Sequence, residues 1–318
     1  MIEITPWHWA GFIVCILFFI ALDLGVFSRL PKALTFAQAL TWSALWIFLA
    51  LLFAVGMSHW RGRAEATQFL TGYLIELSLS LDNILVIALI FSTFKVPEPL
   101  QHPVLVWGII GALFMRGMMI GLGAELIHRF AWILYVFGAF LVFTGIKMAF
   151  SRHAPMDPDH HPLVRLVRNF FPISKDFDGF KFVTLLNDRQ VLTPLALVLL
   201  LVESSDLVFA VDSVPAVFAV TRNAFIVFTS NVFAILGLRS LYFLLAGAMA
   251  YFRYLKLGLS IVLVFVGLKM LMEPHGHETL WFQYSIANGM SLLVITTILC
   301  LAIMISVITA RRESRGRV

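Results

Sequence analysis

The chain has 318 residues, 60% of them hydrophobic and 13% charged, with a formal net charge of +5. A water-soluble domain carries about 25% charged residues, so this composition excludes an ordinary soluble enzyme and points to membrane spans. The basic excess rests on few charges in total, which argues against a nucleic-acid partner and for basic loops beside a lipid bilayer.

Nine apolar runs are long enough to cross a membrane as helices. They cover 7–27, 38–57, 69–94, 104–123, 131–150, 191–220, 224–252, 257–272 and 284–309. The predicted fold class is all-α, a single polytopic domain over 1–318 with about nine transmembrane helices. Thirty Phe and eight Trp suit a lipid-facing surface with interfacial aromatics. The start, Met1-Ile-Glu-Ile-Thr-Pro-Trp7, lacks a basic n-region, so no cleaved signal peptide is expected. Cys15 and Cys300 sit in separate apolar runs and predict neither a disulfide framework nor a thiolate metal site. The one long connection, 151–190, is polar and has no spanning run. Of the 23 Lys and Arg, four lie within spans (Arg116, Lys147, Arg239, Lys269). With the N-terminus outside, outside loops hold only Arg61, Arg63, Arg129 and Arg222, and the other fifteen are inside. That bias predicts N-out, C-in, with 151–190 and the basic C-terminal tail in the cytoplasm.

Two stretches interrupt the apolar pattern most strongly, Glu76-Leu-Ser-Leu-Ser-Leu-Asp82-Asn83 and Asp206-Leu-Val-Phe-Ala-Val-Asp212-Ser213. An ionisable side chain at mid-membrane costs roughly 2.5–3.5 kcal/mol even on the lenient insertion scale, so such residues imply a use. Glu76 and Asp82 map onto Asp206 and Asp212 at an offset of 130, Arg116 onto Arg239 at 123, and Lys147 onto Lys269 at 122. The slack falls in the connection 92–103, which is longer than 221–223. Spans three to five (69–150) therefore match spans six to eight (191–272), flanked by helices in 7–57 and 284–309. An odd number of spans per unit makes this an inverted repeat, an architecture that places substrate at the midplane between halves.

Counting Asp23 and Glu203, six carboxylates face four bases within spans. One divalent cation would neutralise the two-charge surplus. Carboxylate, amide and hydroxyl oxygens favour Mg, Ca or Mn over Cu or Zn. At about 100° per residue, Glu76 shares a helix face with Asn83, Asp206 shares one with Ser213, and Glu203 adjoins Asp206. Glu76 and Asp82 are about 120° apart, as are Asp206 and Asp212, so an unbroken helix cannot aim both acids at one ion. Pro215 removes a backbone donor and clashes with the Val211 carbonyl, which predicts a kink or break in 191–220. Freed carbonyls there could be cation ligands; a packing kink without ligands is the other reading. The expected site lies between Asp82 and Asp212, one from each half. Arg116 and Arg239 either pair with the acids structurally or hold the empty site neutral. Lys147 and Lys269 lie near span ends, where they can instead snorkel. His153, Asp157, Asp159, His160 and His161 in the long loop, and His275, His277 and Glu278 outside, are weaker metal candidates. No Gly-x-x-x-x-Gly-Lys-Ser/Thr cradle is present, so ATP-powered transport by this chain is not expected.

Ala21-Leu-Asp-Leu-Gly-Val-Phe27, Ser80-Leu-Asp-Asn83 and Phe209-Ala-Val-Asp-Ser-Val-Pro-Ala216 resemble the TerC family of bacterial integral membrane proteins, most strongly its Alx branch. The resemblance implies nine spans, a long cytoplasmic loop, a place in the bacterial inner membrane, and membership of the wider LysE-like transporter superfamily with inverted three-span repeats. By position, the family's acidic motifs fall on Asp23, Glu76, Asp82, Asn83, Glu203, Asp206, Asp212 and Ser213. It also implies manganese export or metal loading of exported proteins; older family names invoke tellurium resistance or redox modulation. The resulting expectation is a non-enzymatic secondary transporter that exports a divalent cation, Mn²⁺ first, in exchange for protons. Its metal ligands would be Glu76, Asp82, Asn83, Glu203, Asp206, Asp212 and Ser213. Asp23, Arg116, Lys147, Arg239, Lys269 and Pro215 would support binding or proton coupling. No tightly bound cofactor is expected beyond the transported ion. The partners expected are the bilayer, the divalent metal ion and protons. A membrane-bound redox modulator and a scaffold for metal loading remain the alternatives.

Overall fold

A computed structural model describes residues 5–27, 35–150, 162–174, 176–186, 189–246, 254–274, 284 and 286–315. In chain order these form α1 (Pro6–Phe27), α2 (Phe36–Trp60), α3 (Arg63–Thr93), α4 (Glu98–Arg129), α5 (Ile133–Phe150) and α6 (Pro162–Phe170). Strands β1 (Val183–Leu186) and β2 (Arg189–Leu192) follow, then α7 (Pro194–Phe218), α8 (Ala224–Leu236), α9 (Leu238–Ala246), α10 (Leu255–Met272) and α11 (Asn288–Arg315).

Among the described residues seven helices are long and apolar enough to cross a membrane: α2, α3, α4, α5, α7, α10 and α11. Helices α8 and α9, bent by 42° about Gly237, make an eighth if taken as one broken span. The remaining sequence candidate, α1, counts only as a shorter apolar helix over Pro6–Ala21. The protein is thus a helical, multi-pass membrane protein, with seven to eight candidate spans among the described residues beside the nine predicted. Its polar connection is not structureless. It carries α6 and the antiparallel hairpin β1–β2, in which Val183 faces Leu192, so the expectation of helices alone needs that correction. Thr184 Oγ1 donates to Asp178 Oδ2 at 2.6 Å and Lys181 Nζ reaches the same oxygen at 3.1 Å. These two contacts hold the exposed Asp178 carboxyl below its usual range.

The predicted run 191–220 is shorter as a helix. Val191 and Leu192 end β2, and Thr193 caps α7 by accepting from Ala196 N at 3.4 Å, with Pro194 in the first turn. Twenty-five residues remain, about 37 Å of helix. Pro215 lies in the last turn, and α7 continues through it to Phe218. The predicted break falls instead one helix later, at Gly237. Val211 and Pro215 line a groove whose other walls include Met119, Leu122 and Phe137, all apolar.

Helix α3 is the central element: 67% of its most apolar window is buried, against 17% for α11 at the periphery. Along α5 and α10 the backbones come within reach of each other through glycine. A Cβ added at Gly145 would lie 2.9 Å from Ser260 O and 2.8 Å from Val264 Cγ2. One added at Gly267 would lie 2.7 Å from Gly138 O and 2.9 Å from Val142 Cγ2. Small residues that let backbones approach are a usual way to join helices in lipid, where apolar burial alone gives no preference for protein over tails.

Candidate functional site

The acids and amides that the sequence placed on shared helix faces converge on one arginine. Arg116, in the middle of α4, is 2% exposed. Its Nη2 donates to Asp206 Oδ1 at 2.8 Å and its Nε to Asp206 Oδ2 at 3.2 Å, a forked pair. Its Nη1 donates to Asn231 Oδ1 at 3.0 Å, reaches Ser213 Oγ at 3.4 Å, and pairs with Glu76 Oε1. Asn231 Nδ2 donates to Glu76 Oε2 at 3.0 Å, and Asn83 Nδ2 to Asp206 Oδ1 at 2.9 Å. Helix α3 supplies Glu76 and Asn83, seven residues and two turns apart. Helix α7 supplies Asp206 and Ser213 at the same spacing, and α8 supplies Asn231. All six side chains are buried.

Two carboxylates and one guanidinium give this cluster a formal charge of −1. Burying such groups is tolerable only because almost every polar atom is paired. A small cavity of about 20 Å³ abuts the cluster at Asn83 and Asp206, and its other walls are Ile87, Leu105, Gly108, Ile109, Ala112, Val202, Ile235 and Leu238. That is room for about one water molecule. The Asn83 Oδ1 atom is buried with no hydrogen-bond partner among the described residues.

Glu203 lies one turn before Asp206 on α7. Its carboxyl rests against α4 at Gly111, where an added Cβ would sit 2.0 Å from Oε1 and 2.3 Å from Cδ. Only a glycine leaves that notch. The Oε2 atom is buried with no hydrogen-bond partner among the described residues.

Asp82 is buried at 8% exposure on α3, about 120° around the helix from Glu76. Asp212 is half-buried, hydrogen-bonded to Thr144 and near Lys147 on α5. The contacts described above centre on Glu76 and Asp206, whereas the sequence places its expected centre between Asp82 and Asp212. Arg239, just beyond the Gly237 bend, reaches His102 Nε2 on α4 at 3.2 Å, and Lys269 donates to Asn288 Oδ1 at 3.0 Å. Pro215 faces the apolar groove described above. Asp23 lies on α1, and the loop candidates His153, Asp157, Asp159, His160, His161, His275, His277 and Glu278 lie outside the described residues. Among the described residues no three His, Cys, Asp or Glu side chains gather as a metal-holding group; the cluster joins two acids with amides and a hydroxyl.

Sequence reasoning missed Asn231, Gly111, His102 and Gly237. A search for charges passes over Asn231, although an amide inside an apolar run is itself a signal.

The description "Integral membrane protein TerC family" matches residues 61–314. The chain belongs to the TerC family. The TerC match runs from the α2–α3 turn almost to the end of α11 and includes every residue of the buried cluster. A Myxococcus xanthus relative named "Uncharacterized membrane protein STKORF319" is 53% identical over 266 residues, 84% of this chain and 83% of its own. The Escherichia coli (strain K12) protein named "Putative membrane-bound redox modulator Alx" is 46% identical over 304 residues, 93% of this chain and 94% of its own. A Rickettsia bellii relative named "Uncharacterized membrane protein" is 38% identical over 300 residues, 94% and 97% of the two chains. No solved structure matches the chain.

Proposed function

We propose that this TerC protein is a secondary transporter that exports a hard divalent cation, Mn²⁺ first, from the cytoplasm in exchange for protons. The observation that carries the reading is the buried cluster. Both acidic stretches contribute one carboxylate and one neutral oxygen ligand to a single point, where negative charge exceeds positive by one. A structural ion pair has no need of that surplus, whereas a cation site does. Arg116 occupies the position of a counter-cation and keeps the empty site nearly neutral. An arriving divalent ion competes with it for Asp206 and Glu76, and Asn83 Oδ1 offers a further oxygen.

The reading places the protein in the bacterial inner membrane with nine spans, N-out and C-in, by the Lys/Arg bias and with α1 completing the count. An inverted repeat is supported by the α5–α10 seam. Gly145 approaches Ser260, and Gly267 approaches Gly138; adding 122 to Gly145 and subtracting 122 from Ser260 turns the first pair into the second. Reciprocal contacts of this kind are what a two-fold relation generates. In this orientation the aliphatic cavity beside Asp206, with the Gly237 bend beyond it, lies on the cytoplasmic side, and broken helices commonly line transporter sites.

The test is Mn²⁺ flux with purified protein in proteoliposomes, supported by cytoplasmic manganese under manganese load. Asp206→Asn and Glu76→Gln are expected to lower export at least tenfold, and Asp82→Asn and Asp212→Asn less. Export at wild-type rates from well-folded Asp206→Asn protein would sink the assignment. The name of the E. coli relative favours a redox role as the second reading. Cys15 and Cys300 are both exposed, on α1 and α11. A flavin, haem or quinone spectrum in the purified protein would support that role and count against ion exchange.

A further inference from the structure

We infer that Asn231 sets how tightly the site holds its cation, by being a neutral amide at a position where a carboxylate would also fit. This rests on the transport reading and goes beyond it to a residue that neither acidic stretch contains. Asn231 is 1% exposed and uses both ends of its amide within the cluster. The oxygen accepts from Arg116 Nη1 and the nitrogen donates to Glu76 Oε2, each at 3.0 Å. A side-chain amide carries an acceptor and a donor on one planar group, so it can face a cation and an anion at once. A carboxylate would satisfy Arg116 but oppose Glu76.

Two consequences follow for a cation entering the cluster. The amide ties Arg116 to Glu76, so the ion has to compete with a guanidinium held at Glu76, Asp206 and Asn231 together. The amide also keeps the cluster at two carboxylates. A transport site has to bind well enough to load and weakly enough to release. Asn231 supplies the second condition. It restrains affinity, and its replacement therefore tightens binding. Damage to packing has the opposite sign, because a loosened or misassembled site weakens binding.

The experiment uses the full-length protein in nanodiscs and Mn²⁺ alone as the probe, with equilibrium titration and a dissociation rate, followed by flux in proteoliposomes. Asn231→Asp adds a third carboxylate beside Glu76 and Asp206 and is expected to tighten Mn²⁺ binding at least tenfold. Its release is expected to slow, so KM and turnover fall together. Asn231→Ser removes the amide bridge without adding charge and is expected to tighten binding about threefold. It also decides the question if Asn231→Asp does not fold. Asp206→Asn provides the opposite control, with binding lost. A wild-type protein that is folded and binds no Mn²⁺ sinks the transport reading itself. Wild-type binding that the folded Asn231 variants leave unchanged, or weaken, overturns the role of Asn231 alone.

Discussion

Replacing Arg116 by Met is the most direct test of how the buried cluster is held. The side chain makes a forked pair with Asp206, a bond to Asn231 and an ion pair with Glu76, all at 2% exposure. Each charge-assisted bond taken alone is worth about 1.5–3 kcal/mol, but they are not additive because the same desolvation is counted each time. The relevant quantity is the cost of leaving two buried carboxylates without their cation, about 3–5 kcal/mol. Arg116→Met is expected to lose that much in reversible unfolding in mixed detergent micelles. Asp206→Asn removes one of the two stranded charges. The double variant should therefore be less destabilised than the sum of the singles, by on the order of 2 kcal/mol in a double-mutant cycle. Millimolar Mn²⁺ should recover stability in Arg116→Met by more than in wild type, since an ion that binds only the folded state stabilises it. An Arg116→Met protein within about 0.5 kcal/mol of wild type, the range of an ordinary surface change, would refute the reasoning. Strict additivity in the cycle would refute it too.

Gly111→Ala drives a methyl to 2.0 Å from Glu203 Oε1, so the carboxyl must leave its notch. Mn²⁺ flux is expected to fall severalfold with little loss of stability, because the atoms displaced are the far end of a flexible side chain; unchanged flux would detach Glu203 from the pathway. Gly145→Ala and Gly267→Ala press on opposing backbone carbonyls at 2.9 and 2.7 Å. Each is expected to cost about 1–3 kcal/mol in the same unfolding assay. Gly121→Ala, with nothing within 4 Å of the new methyl, should be neutral or slightly stabilising.

Much of this architecture is legible in the sequence because lipid simplifies the problem. Only helices and closed barrels satisfy their backbones there, so long apolar runs announce their own secondary structure. Helical periodicity also groups Glu76 with Asn83 and Asp206 with Ser213, the four residues found together. It cannot say which turn of α3 faces which turn of α7. Which of the acids meet is thus a matter of packing. Arg116 and Arg239 are equivalent by offset, and periodicity does not foresee that Arg116 meets Asp206 and Asn231 or that Arg239 meets His102 on α4. Pro215 looked like the breaker because proline removes a donor. It sits in the final turn of α7, where little helix remains to bend. Gly237 carries the 42° change of direction, with Arg239 directly beyond it. Asn231 and Gly111 escaped for a common reason. One is uncharged and the other has no side chain, so each gains meaning only from the charged neighbour that packing brings to it.

The glycine seam between α5 and α10 has a mechanical corollary. Two helices in backbone contact at both Gly145 and Gly267 have no slack to slide or part without losing the close fit along their length. They act as a fixed spine that crosses the boundary between the proposed halves. Motion that opens the site to one side and then the other must leave this spine intact. It falls to helices that already contain a joint, and α8–α9 with its elbow at Gly237 is the pair so equipped. Labels placed on either side of Gly237 should therefore move during turnover, while labels spanning α5 and α10 keep a constant separation.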